Sequence, residues 1–152
     1  MNGLRERMRG IAISEELTDE WDKRRVKIQR ENVMNKVNIK EKFKLFDQYW
    51  SPKILGELNG NHVKIFKAKG EFVWHQHENE DEFFLVIQGQ LKIKLKNQEI
   101  VLNEGEFFIV PKATDHLPYA DNEAHVLLFE PKQVLNTGDA ISEKTVENPE
   151  CL

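Results

Sequence analysis

Arginine disappears from this sequence after residue 30. Six arginines, at 5, 7, 9, 24, 25 and 30, and two lysines fall within residues 1–33, whereas residues 34–152 hold fourteen lysines and no arginine. The guanidinium fork that gives bidentate recognition of phosphate or carboxylate is therefore missing from most of the chain. That counts against a phosphosugar isomerase or a 2-oxo-acid-dependent oxygenase. Cysteine is nearly absent too. Cys151 stands alone, so no intrachain disulfide can form and nothing points to an oxidising compartment. No apolar run approaches the length of a membrane span, and the first residues lead into no hydrophobic signal core. A net charge of -4 leaves no basic footprint for nucleic acid or an anionic membrane, and neither is expected as a partner. A cytoplasmic location is expected by default.

The 152 residues suit one domain, large enough to bury a core without covalent staples. The shift in arginine usage divides it into an N-terminal extension over residues 1–33, a barrel over 34–135 and a polar tail over 136–152. In the extension, Ser14 can cap a helix with Glu15 and Glu16 in its first turn and Leu17, Trp21 and Ile28 on a thin apolar stripe. The same shift raises the expectation that Met34 is the native start, which N-terminal mass analysis of the natural protein would test.

From Pro52 the pattern becomes short strands separated by turn residues. Ile54–Leu58 and 62–69 flank Asn59-Gly60-Asn61, and a third run begins at Phe72. Leu91-Lys92-Ile93-Lys94-Leu95-Lys96 alternates strictly, with aliphatic groups on one face and solvated ammonium groups on the other. Further strands are expected over 99–102, 107–110, where Pro111 ends the ladder, and 124–130. Evenly spaced strands without strong helices between them indicate an all-β antiparallel barrel or jelly roll. The tail after Pro131, with a turn at Asn136-Thr137-Gly138, is expected on the surface.

His75 and His77 stand two apart in a β context, so their imidazoles project from one face and make half a metal site. Glu82 opens the apolar run Phe83-Phe84-Leu85-Val86-Ile87 and offers a third ligand, although Glu80 shares its face in an extended chain. His116, beyond Gly105–Pro111 and a polar loop, offers a fourth. Nitrogen and oxygen donors together suit a divalent transition metal ion: iron, manganese, nickel or zinc. His62 and His125 have no ligand partner at useful spacing. Trp74 and Tyr119 flank the ligand segments, and Tyr119 carries a hydroxyl able to donate or accept a proton, which makes it the candidate catalytic residue.

The stretch Gly70–Gly89, with His-x-His, a glutamate after a short gap and a closing glycine, resembles the first motif of the cupin superfamily. Gly105–His116 resembles the second, with Gly, Pro and His at matching intervals. The likeness is to small single-domain cupin-2 proteins, often labelled mannose-6-phosphate isomerase-like, and it implies a double-stranded β-helix. By that resemblance His75, His77, Glu82 and His116 hold the metal. Ala113 and Ala120 stand where the second motif usually has glycine and asparagine. A sugar-nucleotide epimerase would leave these ligands unused. The expected function is a metal-dependent oxygenase or isomerase acting on a small molecule, with a non-catalytic binding or sensing module as the alternative. Outward Phe83, Leu85 and Ile87, repeated by Leu127 and Phe129, imply a homodimer unless the chain's own segment near Phe43–Trp50 covers them.

Overall fold

The structure, a computed structural model, describes Lys23 and residues 35–152. The expected extension, with its helix from Ser14, and the Met34 start lie outside the described residues. A short helix, α1 (Ile39–Phe43), precedes eight strands: β1 (Lys53–Leu58), β2 (Asn61–Glu71), β3 (Glu82–Gln88), β4 (Leu91–Leu95), β5 (Glu99–Leu102), β6 (Phe107–Val110), β7 (His116–Pro131) and β8 (Glu150–Cys151). Asn38 caps α1 by accepting a hydrogen bond from the Glu41 amide at 3.2 Å. Asn59 and Gly60, with φ of 50° and 78°, give the β1–β2 turn the doubly left-handed backbone that matches strand twist.

Strand β7 is the hub. It pairs antiparallel with β4 at its start, with β2 along nearly its whole length and with β3 near its end. The sequence suggested a polar loop through His116 and a separate strand over 124–130. Instead one strand runs from His116 to Pro131: Tyr119–Ala120 pair with Glu71–Gly70 and the pairing resumes at Ala124–Ala68, with the exposed residues Asp121–Glu123 bulging out at the register shift between them. The run from Phe72, expected as a strand, leaves the ladder after Glu71. Its one remaining pairing is an isolated bridge between His75 and His116.

The strand alternation packs the interior. Leu91 and Ile93 are fully buried, and Phe66, Ala68, Phe84, Val86, Val126 and Leu128 face them. Lys92 and Lys94 point outward as expected, paired with Asp121 at 2.6 Å and Glu71 at 2.8 Å. Trp50 takes a left-handed backbone, φ 55°, to turn its ring into this interior, where it stacks on Phe66 and Phe72 and donates to the Lys69 carbonyl.

Two segments behave differently from their composition. Phe43 and Phe46 cover part of the outer face at Ile65, Val63, Ile87 and Leu127. Phe107 and Ile109 on β6 remain exposed, with Phe83 stacked on Phe107. The polar tail does not simply lie on the surface. Asn136 and Thr137 are buried, and β8 adds to β1 in parallel. Polar residues can be buried there because their groups are satisfied: Asn136 bonds to the Lys144 carbonyl and the Val146 amide, and Thr137 to Thr145.

Stability should therefore follow the interior face. Ile93→Ala is expected to cost about 2–5 kcal/mol in chemical denaturation, as for buried aliphatic truncations. Lys92→Ala removes only a surface ion pair and should leave the denaturation midpoint close to that of the wild type.

Candidate metal centre

Glu82 opens β3 and His116 opens β7, so two of the four predicted ligands are fixed by ladder ends. The other two ride on the crossing segment held by mutual backbone hydrogen bonds between His75 and His116, each 3.0 Å. A further hydrogen bond, from the Ala113 amide to the His77 carbonyl at 2.7 Å, ties in the loop before His116. Ala113 adopts φ 56°, which accounts for the glycine usual at this place in the resembling motif. Ala120 faces the core, 1% exposed.

The structure brings His75, His77, Glu82 and His116 together in one buried cluster, with a donor atom from each within 4.8 Å of the others. One Glu82 oxygen, Oε2, lies 2.9 Å from His116 Nε2, 3.1 Å from His77 Nε2 and 3.8 Å from His75 Nε2. The Nε2 atoms of His75 and His77 are buried without forming a hydrogen bond. Nδ1 of His75 lies 3.0 Å from the Val73 carbonyl, and Nδ1 of His116 lies 2.8 Å from the Thr114 carbonyl. A carbonyl only accepts, so each Nδ1 carries a proton, which leaves Nε2 as the ring atom that faces the carboxylate; that of His116 hydrogen-bonds Glu82 at 2.9 Å. Three imidazole nitrogens and a carboxylate converging in a buried site could hold a cation. The donor set, three imidazole nitrogens and one carboxylate, fits a divalent transition metal.

The electrostatics agree. Burial opposes the charged form of Glu82, but the imidazoles of His116, His75 and His77 set against its carboxylate outweigh it and hold the carboxyl well below its usual range. Burial likewise opposes charge on His77, yet Glu82, Glu130 and Glu80 raise its pKa. The cradle is thus a place that favours positive charge.

Other candidates fall elsewhere. Glu80, the alternative to Glu82, lies with His77 along an open cleft of about 310 Å³ between residues 76–80 and 131–139. Tyr119 is three residues from His116, and that odd spacing in a strand turns it to the opposite face. There its hydroxyl donates to Glu99 at 2.6 Å and its ring lies beneath Lys94, so the structure does not bring it to the cluster. His125 stacks on Phe43, and Trp74 is half-exposed.

Sequence reasoning passed over an interior polar row. His62, Lys64 and Glu130 are each 1% exposed and share the inward face with Phe66, Ala68 and Leu128. Lys64 Nζ donates to Glu130 Oε1 at 2.8 Å, while Glu130 Oε2 is buried without a partner. The β3–β7 register, extended one step from Phe83–Phe129, sets Glu130 beside Glu82. Burial, with the Glu82 charge adding to it, pushes the Glu130 carboxyl up to about 7 against the pull of Lys64. The parity of β2 carried the signal, since the face holding Phe66 and Ala68 also holds His62 and Lys64.

His75 and Glu82 of the cluster border a small apolar cavity of about 20 Å³. Trp50, Phe66, Phe72, Phe84, Pro118 and Leu128 line the rest, with Asn136 from the tail.

Comparison with known proteins places this architecture. The cupin domain model matches residues 62–130. A cupin-2 domain containing protein from Shewanella frigidimarina is 40% identical, covering 68% of this chain and 98% of its own, with a TM-score of 0.63. Protein NMB1881 from Neisseria meningitidis is 26% identical over 64% of this chain and 99% of its own, with a TM-score of 0.59. The uncharacterized protein YdbB of Bacillus subtilis is 36% identical over 63 residues, and the match spans 56% of that protein's length. The chain belongs to the cupin family, and its fold is the all-β jelly roll of that family.

Two outcomes follow. His77→Ala should sharply lower the metal content of purified protein while costing less in folding, since the core rests on β4 and its neighbours; undiminished occupancy would remove the ligand assignment. In chelator, a carboxyl raised from 4.5 to about 7 makes the native state bind the extra proton, so its contribution to stability declines as pH rises through that window. Glu130→Gln should flatten that decline in unfolding free energy measured across the same window.

Proposed function

We propose that this protein is a metal-dependent cupin acting on a small, weakly polar molecule, with an oxygen-dependent reaction as first choice and an isomerisation as the variant of it. The observation that carries this reading is the convergence of His75, His77, Glu82 and His116 in one buried cluster, of which His75 and Glu82 reach an aromatic-lined cavity. A divalent iron, manganese, nickel or zinc ion there would supply Lewis acidity and, when redox-active, oxygen activation. The chain's own part is to exclude water and orient. Trp50, Phe66, Phe72 and Phe84 line the apolar side of the cradle, where a cavity of about 20 Å³ leaves room for little more than a water-sized group. Glu130, raised towards neutrality, can hold a proton on Oε2 beside the Glu82 row.

A second reading, a non-catalytic binding or sensing module, is favoured by the cavity lining. Beyond His75 and Glu82 it offers Asn136 as its one other polar side chain, with no nucleophile. The two readings separate in one experiment. Full-length protein loaded in turn with Fe(II), Mn(II), Ni(II) and Zn(II) is screened against a panel of small neutral and weakly polar molecules by thermal shift, with and without chelator. Stabilising compounds are then followed for turnover and oxygen uptake. Metal-dependent turnover supports the enzyme; saturable, metal-dependent stabilisation without turnover supports the sensor. Stabilisation indifferent to chelator contradicts both.

The homodimer is proposed on the remaining outer face. Phe107 and Ile109 are 59% and 47% exposed on the edge strand β6, next to Phe83 and Leu85. An apolar edge of this kind invites pairing with a second copy about a two-fold axis. Light scattering should give twice the chain mass at micromolar concentration, and Phe107→Lys with Ile109→Lys should give the monomer. A wild-type monomer refutes the dimer.

A further inference from the structure

The segment Asn136–Asp139, from a tail that reads as surface, closes on the His75–His77 segment. The Asp139 carboxylate accepts from the Gln76 amide at 2.9 Å, and the Asp139 amide donates to the Gln76 carbonyl at 3.1 Å. Gln76 is the residue between the two histidines, so both faces of its peptide frame are held by one residue. Gly138 sits in the gap this leaves. A Cβ built there would lie 2.1 Å from the Gln76 carbonyl oxygen and 3.2 Å from His77 Nδ1. Only glycine lets the tail approach this closely, and its φ of 52° is left-handed as well.

The contact is anchored on the tail's side. Asn136 and Thr137 are buried, with side-chain hydrogen bonds to residues 144–146, and Lys144 Nζ donates to the Glu71 carbonyl at 2.6 Å. That carbonyl lies where β2 ends and the segment carrying the histidines begins. The His75–His77 segment lies outside the strand ladders, so apart from its bridge to His116 and the Ala113 tie it has little else to hold its backbone. His77 also differs from its fellow histidines. Its Nδ1 is not hydrogen-bonded to a neighbouring carbonyl as those of His75 and His116 are, so its ring depends more on the backbone beneath it.

We propose that Gly138 and Asp139 are positioning residues for the metal centre, setting the backbone of Gln76 so that His75 and His77 present Nε2 to the ion. The proposal rests on the reading of the cluster as a metal site. It extends that site to a part of the chain about sixty residues away, beyond the stretch 62–130 that the cupin model matches. Partners that orient ligands typically contribute about 10- to 100-fold to metal affinity.

The test uses full-length protein stripped with chelator and titrated with Co(II), read by calorimetry and by the visible absorption of the bound ion. Asp139→Ala should weaken Co(II) binding at least about tenfold and change the absorption bands, with melting of the metal-free protein shifted little, since Asp139 is exposed. Asp139→Asn retains an acceptor for the Gln76 amide and should restore most of the affinity. Gly138→Ala should be worse than Asp139→Ala. Gly105→Ala is its control, because Gly105 has a similar left-handed φ of 80° with nothing within 4 Å of the added Cβ, and it should leave Co(II) affinity unchanged. If Gly138→Ala fails to fold, the Asp139 pair decides. Wild-type affinity and bands in Asp139→Ala overturn the positioning role while the metal site stands. Absence of Co(II) binding by the wild type overturns the role and the metal site together.

Discussion

A carboxylate buried at 3% exposure, with three imidazoles pointed at it, is the constraint on which the rest depends. Leaving such a charge in a dry barrel costs several kcal/mol unless a cation answers it. Everything around Glu82 is arranged to supply that answer. Carbonyls of Val73 and Thr114 fix two imidazole tautomers, a backbone bridge registers His75 against His116, and β3 presents the carboxylate from the opposite side. Glu82 and His116 are positioned by sheet register, and His75 and His77 by the backbone hydrogen bonds that tie their segment to His116 and Ala113.

The barrel interior is divided by the same logic. Towards β4 and the middle of β7 it is aliphatic and aromatic, and this half provides the folding energy. Towards the ends of β2, β3 and β7 it is polar, with Glu82, Glu130, His62 and Lys64 sharing inward positions on neighbouring strands. Lys64 matters to the question that the missing arginines raised. The lysines visible as an alternating stripe, Lys92 and Lys94, are indeed outside and paired with surface acids. Yet one lysine is inside, held by Glu130, so the interior is not without a cation; that cation is already engaged.

Much of this was legible from sequence because period-two alternation and the spacing of the four ligands are both local signals. The alternation of Leu91–Leu95 predicted which face packs, and the motif spacing predicted which side chains meet. What failed to read out was non-local. Tyr119 looked close to His116 along the chain, but strand parity turns it away to Glu99. Strand β7 looked like two pieces because Asp121–Glu123 are polar, although they form only a bulge between two stretches paired with the same strand β2. The tail looked like surface because its residues are polar, whereas Asn136 and Thr137 are buried through hydrogen bonds to residues eight to ten positions on. Partner-dependent satisfaction of polar groups leaves no periodic trace. The N-terminal cover by Phe43 and Phe46 was foreseen as an alternative to a second subunit, and it shields only part of the outer face.

The central claim is that one divalent ion is held by these four side chains. X-ray absorption fine structure on the metal-reconstituted full-length protein tests it most directly. The account predicts a first shell with scattering from three imidazoles plus light oxygen donors, reduced by one imidazole in His116→Ala. A shell with fewer than three imidazoles in the wild type, or one that His116→Ala leaves unchanged, would contradict it.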